Sequence, residues 1–220
     1  MARRPSTLPP ILSPVALPEL RAGDPSGLRP HESYDGLDFP AADLRGLDLA
    51  GISFLECSFT ELSAGETDLR SASFVDTRFE RLDAPILSAP RSRFRDVSVT
   101  ASRWGSAELY DAEWQSVHLV DCRLGYVNLR GATLHDVLFT NCTIDELDLG
   151  GATAHRTAFV DTRIDSLDVT GATLTHTDLR GADLRRLTGL EGLKGATLTA
   201  LQVAELAPLF ASHLGLRVEE

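Results

Sequence analysis

The stretch "NLRGATLHDVLFTNCTIDELDLGGAT", residues 128–153, decides the fold. Leu129, Leu134, Phe139, Ile144 and Leu149 recur at every fifth residue. That period matches neither an amphipathic helix, near 3.6, nor a half-buried strand, at 2.0. Stepping outward by five in both directions, the frame runs without a slip from Phe39 to Leu184, giving thirty centre positions. Twelve are Leu, eight Phe, four Ala, and two each Trp, Ile and Val; none is polar. Two residues before each centre, from Leu37 to Ala182, stand only small or medium uncharged residues, including all three cysteines. All the charge of this region falls on the other three positions. Two inward residues in every five, spaced two apart, describe a short extended piece followed by a corner. Such pieces must coil, so the chain stacks on itself as a solenoid.

The local motifs fit a known pattern. "GADLR" at 181–185, "TDLRGADLRR" at 177–186 and "VNLRGATL" at 127–134 resemble the A(D/N)Lxx signature of the pentapeptide-repeat family. The resemblance implies an all-β solenoid, a right-handed quadrilateral β-helix with four pentapeptides, hence twenty residues, in each coil. Alignment at that spacing places Phe54, Phe74, Phe94 and Trp114 in one column, and Phe39, Phe59 and Phe79 in another that Phe139 and Phe159 continue. Thirty repeats make about 7.5 coils, a rod about 36 Å long at the ~4.8 Å spacing of hydrogen-bonded backbones. "LDAPILSAPRSRF", 82–94, is less regular. It is either two tightened repeats or a ten-residue loop returning in phase, and the aromatic column favours the in-line form.

Three segments follow. Residues 1–35 hold seven of the eleven prolines and read as an extended or disordered arm. Residues 36–186 are the β-helix. Residues 187–220 read as a helical cap: Thr199 and Gln202 form a capping-box pattern, Pro208 should split the helix, and Gly215 should stop it. An open solenoid end exposes core and unpaired edges, so a cap is needed. The resemblance adds dimerisation as a second role for this module, with Leu201, Leu206, Leu209 and Phe210 as cap or dimer contacts.

The chain is acidic, 32 Asp and Glu against 21 Lys and Arg, a net charge of −11. That disfavours direct nucleic-acid or anionic-membrane binding and favours a basic partner. No apolar run is long enough to span a membrane, and prolines break the N-terminal apolar stretch, so no signal peptide is read. With three cysteines lacking metal-ligand spacing, the expected location is a reducing cytoplasm.

Searching for chemistry finds little. "GLEGLKGAT", 189–197, lacks the Gly-Lys-Ser/Thr ending of a phosphate loop. Cys57, Cys122 and Cys142 fall on the inward frame and read as packing residues. His135, His155 and His176 share a wall, but flat-wall side chains project in parallel and converge poorly on a metal. No cofactor, metal or catalytic residue is expected. Carboxylates instead form two ladders. One reads Asp48, Asp68, Glu108, Asp148, Asp168, interrupted by Ser88 and Asn128. The other reads Glu56, Asp76, Asp96, Asp136, interrupted by Ser116. Asp and Asn in the first can cap local turns, a role that fits the second less well.

The resemblance also implies a function. Several bacterial members are rod-shaped homodimers that imitate duplex DNA at DNA gyrase or topoisomerase IV, conferring quinolone resistance or self-protection. Between residues 36 and 186 stand 24 acids and 15 arginines. Duplex DNA of the same length carries roughly 21 charges, so the rod has under half that line charge. Two readings remain from sequence: a non-enzymatic DNA mimic acting on a type II topoisomerase through the two ladders, or a protein-interaction scaffold with another partner. Arg78, Arg81, Arg91, Arg93, Arg95 and Arg103 form a basic belt, and its position relative to the acidic walls separates them.

Overall fold

The computed structural model describes residues 7–219; the first six residues of the proline-rich arm lie outside this range. The chain is a parallel all-β solenoid, matching the right-handed β-helix, of about nine turns with a small C-terminal helical region. Strands pair in register at a twenty-residue offset along most of the rod: Trp114 with Leu134, Phe139 with Phe159, Ile144 with Ile164. Strand Asp83–Ser88 pairs in line with Arg103–Glu108 on one side and with Thr67–Asp68 on the other. The irregular stretch is therefore two repeats within the coil, not a loop. The rod is longer than the 7.5 coils of the frame, because pairing begins at Arg21 and ends at Thr197. At ~4.8 Å per coil, nine turns span about 43 Å. The frame misses these ends because their offsets differ: Arg21 pairs with Leu37, and Ala196 with Thr177.

Inward residues form one continuous core. Phe39, Phe59 and Phe79 stack nearly parallel at 4.9 and 5.1 Å between ring centroids. Phe54, Phe74 and Phe94 do the same at 5.7 and 4.9 Å. The two columns meet edge to face, as Phe54 does with Phe59 at 5.0 Å and 89°, which satisfies the aromatic quadrupoles in both directions. The inward frame has an exposed exception, Leu47, in the first full coil.

Corners carry the strain. Among the described residues nineteen non-glycine residues adopt positive φ, most of them at three of the four corners of successive coils. Each costs about 1 kcal/mol or more in isolation. Their backbone N–H groups answer this cost by donating to the next coil, as Glu56 does to Val75 O at 3.0 Å and Asp121 to Thr140 O at 3.0 Å.

Both ends are covered. Residues 23–34 close the first coil, where Tyr34 stacks on Phe54 at 5.7 Å. Gly23 lies so close to Phe39 that a Cβ there would sit 2.3 Å from the ring. At the other end stand α1 (Ala200–Glu205) and α2 (Ala207–His213), with Pro208 in the first turn of α2. Thr199 and Gln202 form the reciprocal capping box. The Gln202 amide then donates to Leu179 O at 2.7 Å and Ala182 O at 2.9 Å, pinning the helix to the last coil. Gly215, at φ 69°, ends α2; the bonds Leu216 N to Ala211 O and Gly215 N to Ser212 O make a Schellman closure.

Candidate interaction surface

Successive coils pair in register, so each outward position repeats as a ladder one coil apart. The first carboxylate ladder is continuous: Asp48, Asp68, Ser88, Glu108, Asn128, Asp148 and Asp168 are successive register partners. Its side chains serve the backbone. Asp48, Asp68, Asp148 and Asp168 each accept from the amide two residues on, at 3.1, 3.0, 2.8 and 2.8 Å. Arg70 and Arg130 also bind Asp68 and Asp148, at 2.5 and 3.0 Å. Glu108 accepts from the Asn128 amide at 2.6 Å. The Arg70 hydrogen bond holds the Asp68 carboxyl below its ordinary range. This ladder caps turns and is partly neutralised, while its outer edge faces solvent.

The second ladder stands on a corner. Glu56, Asp76, Asp96, Ser116 and Asp136 all have positive φ, and the row continues through Arg156 and His176. Arg156 grips Asp136 with two bonds, 2.5 and 2.6 Å, and its guanidinium also meets His155 Nε2 at 2.9 Å and His135 Nε2 at 3.2 Å. His135 Nδ1 lies 2.7 Å from Asp136. Burial alone would raise the Asp136 carboxyl, but Arg156, the Ile11 amide and His135 together hold it below its ordinary value. The histidine stripe of the sequence is thus an Arg156-centred cluster. Among the described residues no group of three or more His, Cys, Asp and Glu is arranged to hold a metal ion.

Sequence reasoning missed what lies on this corner. Residues 7–20 run along the rod against the direction of coil stacking. Thr7 meets the Thr197 hydroxyl, Leu8 N approaches His176 Nδ1 at 3.4 Å, Ile11 N donates to Asp136 at 2.7 Å, and Ser13 N donates to Ser116 Oγ at 2.9 Å. From the adjacent wall Arg78 donates to Val15 O at 3.3 Å. A signal was present: prolines at 9, 10, 14 and 18 hold residues 7–20 extended and deny them a regular strand pairing, while Ile11 and Ser13, two residues apart, keep N–H groups that point the same way.

The basic belt encircles the rod. Arg93 and Arg95 stand on the wall of Phe54, Arg78 and Arg81 on that of Phe59, Arg103 on that of Trp104, and Arg91 on that of Leu109. Counting each corner with the wall before it, the same four walls carry five, six, seven and six acids against three, three, six and three arginines. No wall is a continuous acidic face, and none is net basic.

The C-terminal residues divide in role. Leu206 packs on the core and Phe210 is half-buried, whereas Leu201 is 69% and Leu209 36% exposed. Leu214, Leu216 and Val218 add to the exposed apolar surface. Cys57, Cys122 and Cys142 are free and buried; burial pushes the Cys57 thiol up, and Cys142 together with burial does the same to Cys122. No helix among the described residues is long and apolar enough to cross a membrane.

A family model described as pentapeptide repeats matches eight copies, over residues 38–76, 118–153 and 167–187. No curated protein matches the chain. Among solved structures, full-length QnrB1, a plasmid-mediated fluoroquinolone resistance protein, is 15% identical, with 81% of this chain and 99% of that one covered and a TM-score of 0.31. HetL, a pentapeptide-repeat protein involved in heterocyst differentiation regulation from the cyanobacterium Nostoc sp., is 20% identical, covering 79% and 92%, with a TM-score of 0.31. At these values neither likeness carries an argument about what the chain binds.

Proposed function

We propose that this chain, a pentapeptide-repeat protein, is a non-enzymatic rod that binds a protein partner bearing a basic surface. The narrower form of the proposal is a homodimeric, cytoplasmic mimic of duplex DNA that occupies the DNA-binding surface of a type II topoisomerase such as DNA gyrase. The observation that carries the reading is the charge: all four walls are net acidic or close to neutral, so the rod repels nucleic acid and attracts a basic saddle from any rotation. Duplex DNA likewise presents charge all round its axis. The two carboxylate ladders supply the contacts through Asp48, Asp68, Glu108 and Asp168 on one wall and Glu56, Asp76 and Asp96 on a corner, whereas Asp148 and Asp136, only 7% and 6% accessible, are engaged by Arg130 and Arg156. Leu201 and Leu209 supply the dimer surface.

A specific observation favours the scaffold alternative. The encircling arginine belt interrupts every wall near mid-rod, and a scaffold tolerates that interruption better than a mimic does. Supercoiling by purified gyrase, titrated with the folded protein at rising salt, separates the two. Inhibition at micromolar protein that weakens with salt is the expected result of mimicry. No inhibition at tens of micromolar removes the topoisomerase reading and leaves a rod with another basic partner.

A further inference from the structure

We propose that residues 7–20 are a releasable cover over the second carboxylate ladder, so that this corner meets a basic partner only when the segment is displaced. The inference rests on the acidic-rod reading and adds regulation to it. Three observations carry it.

The first is a comparison within the molecule. Two adjacent corners have the same left-handed geometry and the same coil spacing. On the uncovered one, Glu61, Arg81, Ala101, Asp121, Asn141 and Asp161 are all exposed. On the other, none of Glu56, Asp76, Asp96, Ser116, Asp136, Arg156 or His176 is exposed, and Ser116 and Asp136 are only 5% and 6% accessible. The N-terminal segment makes the difference.

The second is how lightly the segment is held. It has no strand pairing before Arg21, and its backbone donates to side chains, at Asp136 and Ser116, not to a sheet. Ile11 and Leu8 point into solvent, and Pro10, Leu12, Val15 and Leu17 are only half-buried. Segments with few buried contacts and side-chain-anchored amides open far more readily than core strands. The strands of the rod pair with one another from Arg21 to Thr197 without it.

The third is charge. Between Thr7 and Leu20 the only ionisable side chain is Glu19. The segment therefore masks the ladder by occupying the corner and by satisfying acceptors at Asp136 and Ser116, and it brings no positive charge to neutralise the row. Release restores an acidic row to the surface without any change in the rod.

The test is made in the full chain by altering the segment alone. Ile11→Pro with Ser13→Pro removes the two donated N–H groups, keeps the backbone extended and leaves every ladder residue in place. Binding of a ten-residue arginine peptide at low salt is measured by calorimetry, and hydroxyl-radical footprinting of Leu12, Val15 and Leu17, half-buried in the parent, reports release. The expected result is increased labelling of these side chains with at least a tenfold gain in peptide affinity. Adding Asp76→Asn and Asp96→Asn to the released protein should abolish that gain. Labelling that stays as low as in the parent, or release without a gain in affinity, overturns the proposal. Gyrase supercoiling is run on the same proteins. If neither form inhibits while the peptide still separates them, the topoisomerase reading fails and the cover stands.

Discussion

Gln202 offers a quantitative test of how the rod is closed. Its carboxamide is fully used: Oε1 accepts from the Thr199 amide at 2.8 Å and from the Thr199 hydroxyl at 3.1 Å, while Nε2 donates to Leu179 O and Ala182 O. One planar group thus joins the helix start to the last coil. Gln202→Ala deletes these bonds, and with about 1 kcal/mol for each of the two that reach the coil the loss is about 2 kcal/mol. Gln202→Glu keeps the shape and the capping acceptor but turns two donors into an acceptor facing two carbonyl oxygens. Leaving those carbonyls unpaired beside a partly desolvated charge adds about 1–3 kcal/mol, for a total of about 4 kcal/mol. The effect is local, because a solenoid's stability is a sum over neighbouring units. Amide exchange in α1, α2 and strand Ala196–Thr197 should rise steeply in Gln202→Glu, while strands around Phe139 stay protected. Acid should rescue it, since a protonated carboxyl can again donate one bond. If Gln202→Glu destabilises the cap no more than Gln202→Ala, the pinning argument is wrong.

Phe139→Ala, at a fully buried centre stacked 4.9 Å from Phe159, should cost about 3–5 kcal/mol in denaturant unfolding and loosen its own and adjacent coils first. The Asp136 carboxyl is held below its ordinary value of 3.8, so its contribution is complete above the unfolded pKa and is lost as pH falls through the folded one; the protection of the Ile11 amide, its exchange rate relative to the unprotected rate at the same pH, should fall below about pH 4 and be flat from pH 5 to 8. Leu201→Glu with Leu209→Glu should leave thermal stability within about 0.5 kcal/mol, because both side chains are exposed, yet shift a dimer to monomer in sedimentation; an unchanged sedimentation profile removes the helical module as the dimer surface.

The rod was legible because its code is redundant. Thirty centre positions state the same five-residue rule, so an exception such as Leu47 does not obscure it, and twenty-residue alignment recovers the pairing of Trp114 with Leu134 or Phe59 with Phe79. The irregular stretch at 82–94 kept its columns for the same reason: Ala84 and Trp104 are register partners despite their difference in size. The rod's true ends were not legible, since Arg21 with Leu37 and Thr177 with Ala196 abandon the twenty-residue offset.

The candidate surface was legible only in outline. Both ladders follow from spacing, but whether a carboxylate is free or engaged depends on partners outside the frame. Arg156 clamps Asp136 from one coil away, a contact that alignment could have suggested. Ile11, 125 residues distant, belongs to no repeat, so periodicity is silent about it. Composition misleads further, because a proline-rich arm lacks most of what drives a chain to pack. The prolines at 9, 10, 14 and 18 carry part of the missing information, because they hold the segment extended and deny it a regular strand pairing. Its remaining donors at Ile11 and Ser13 are then met by side chains, and the corner offers these in Asp136 and Ser116, one coil apart.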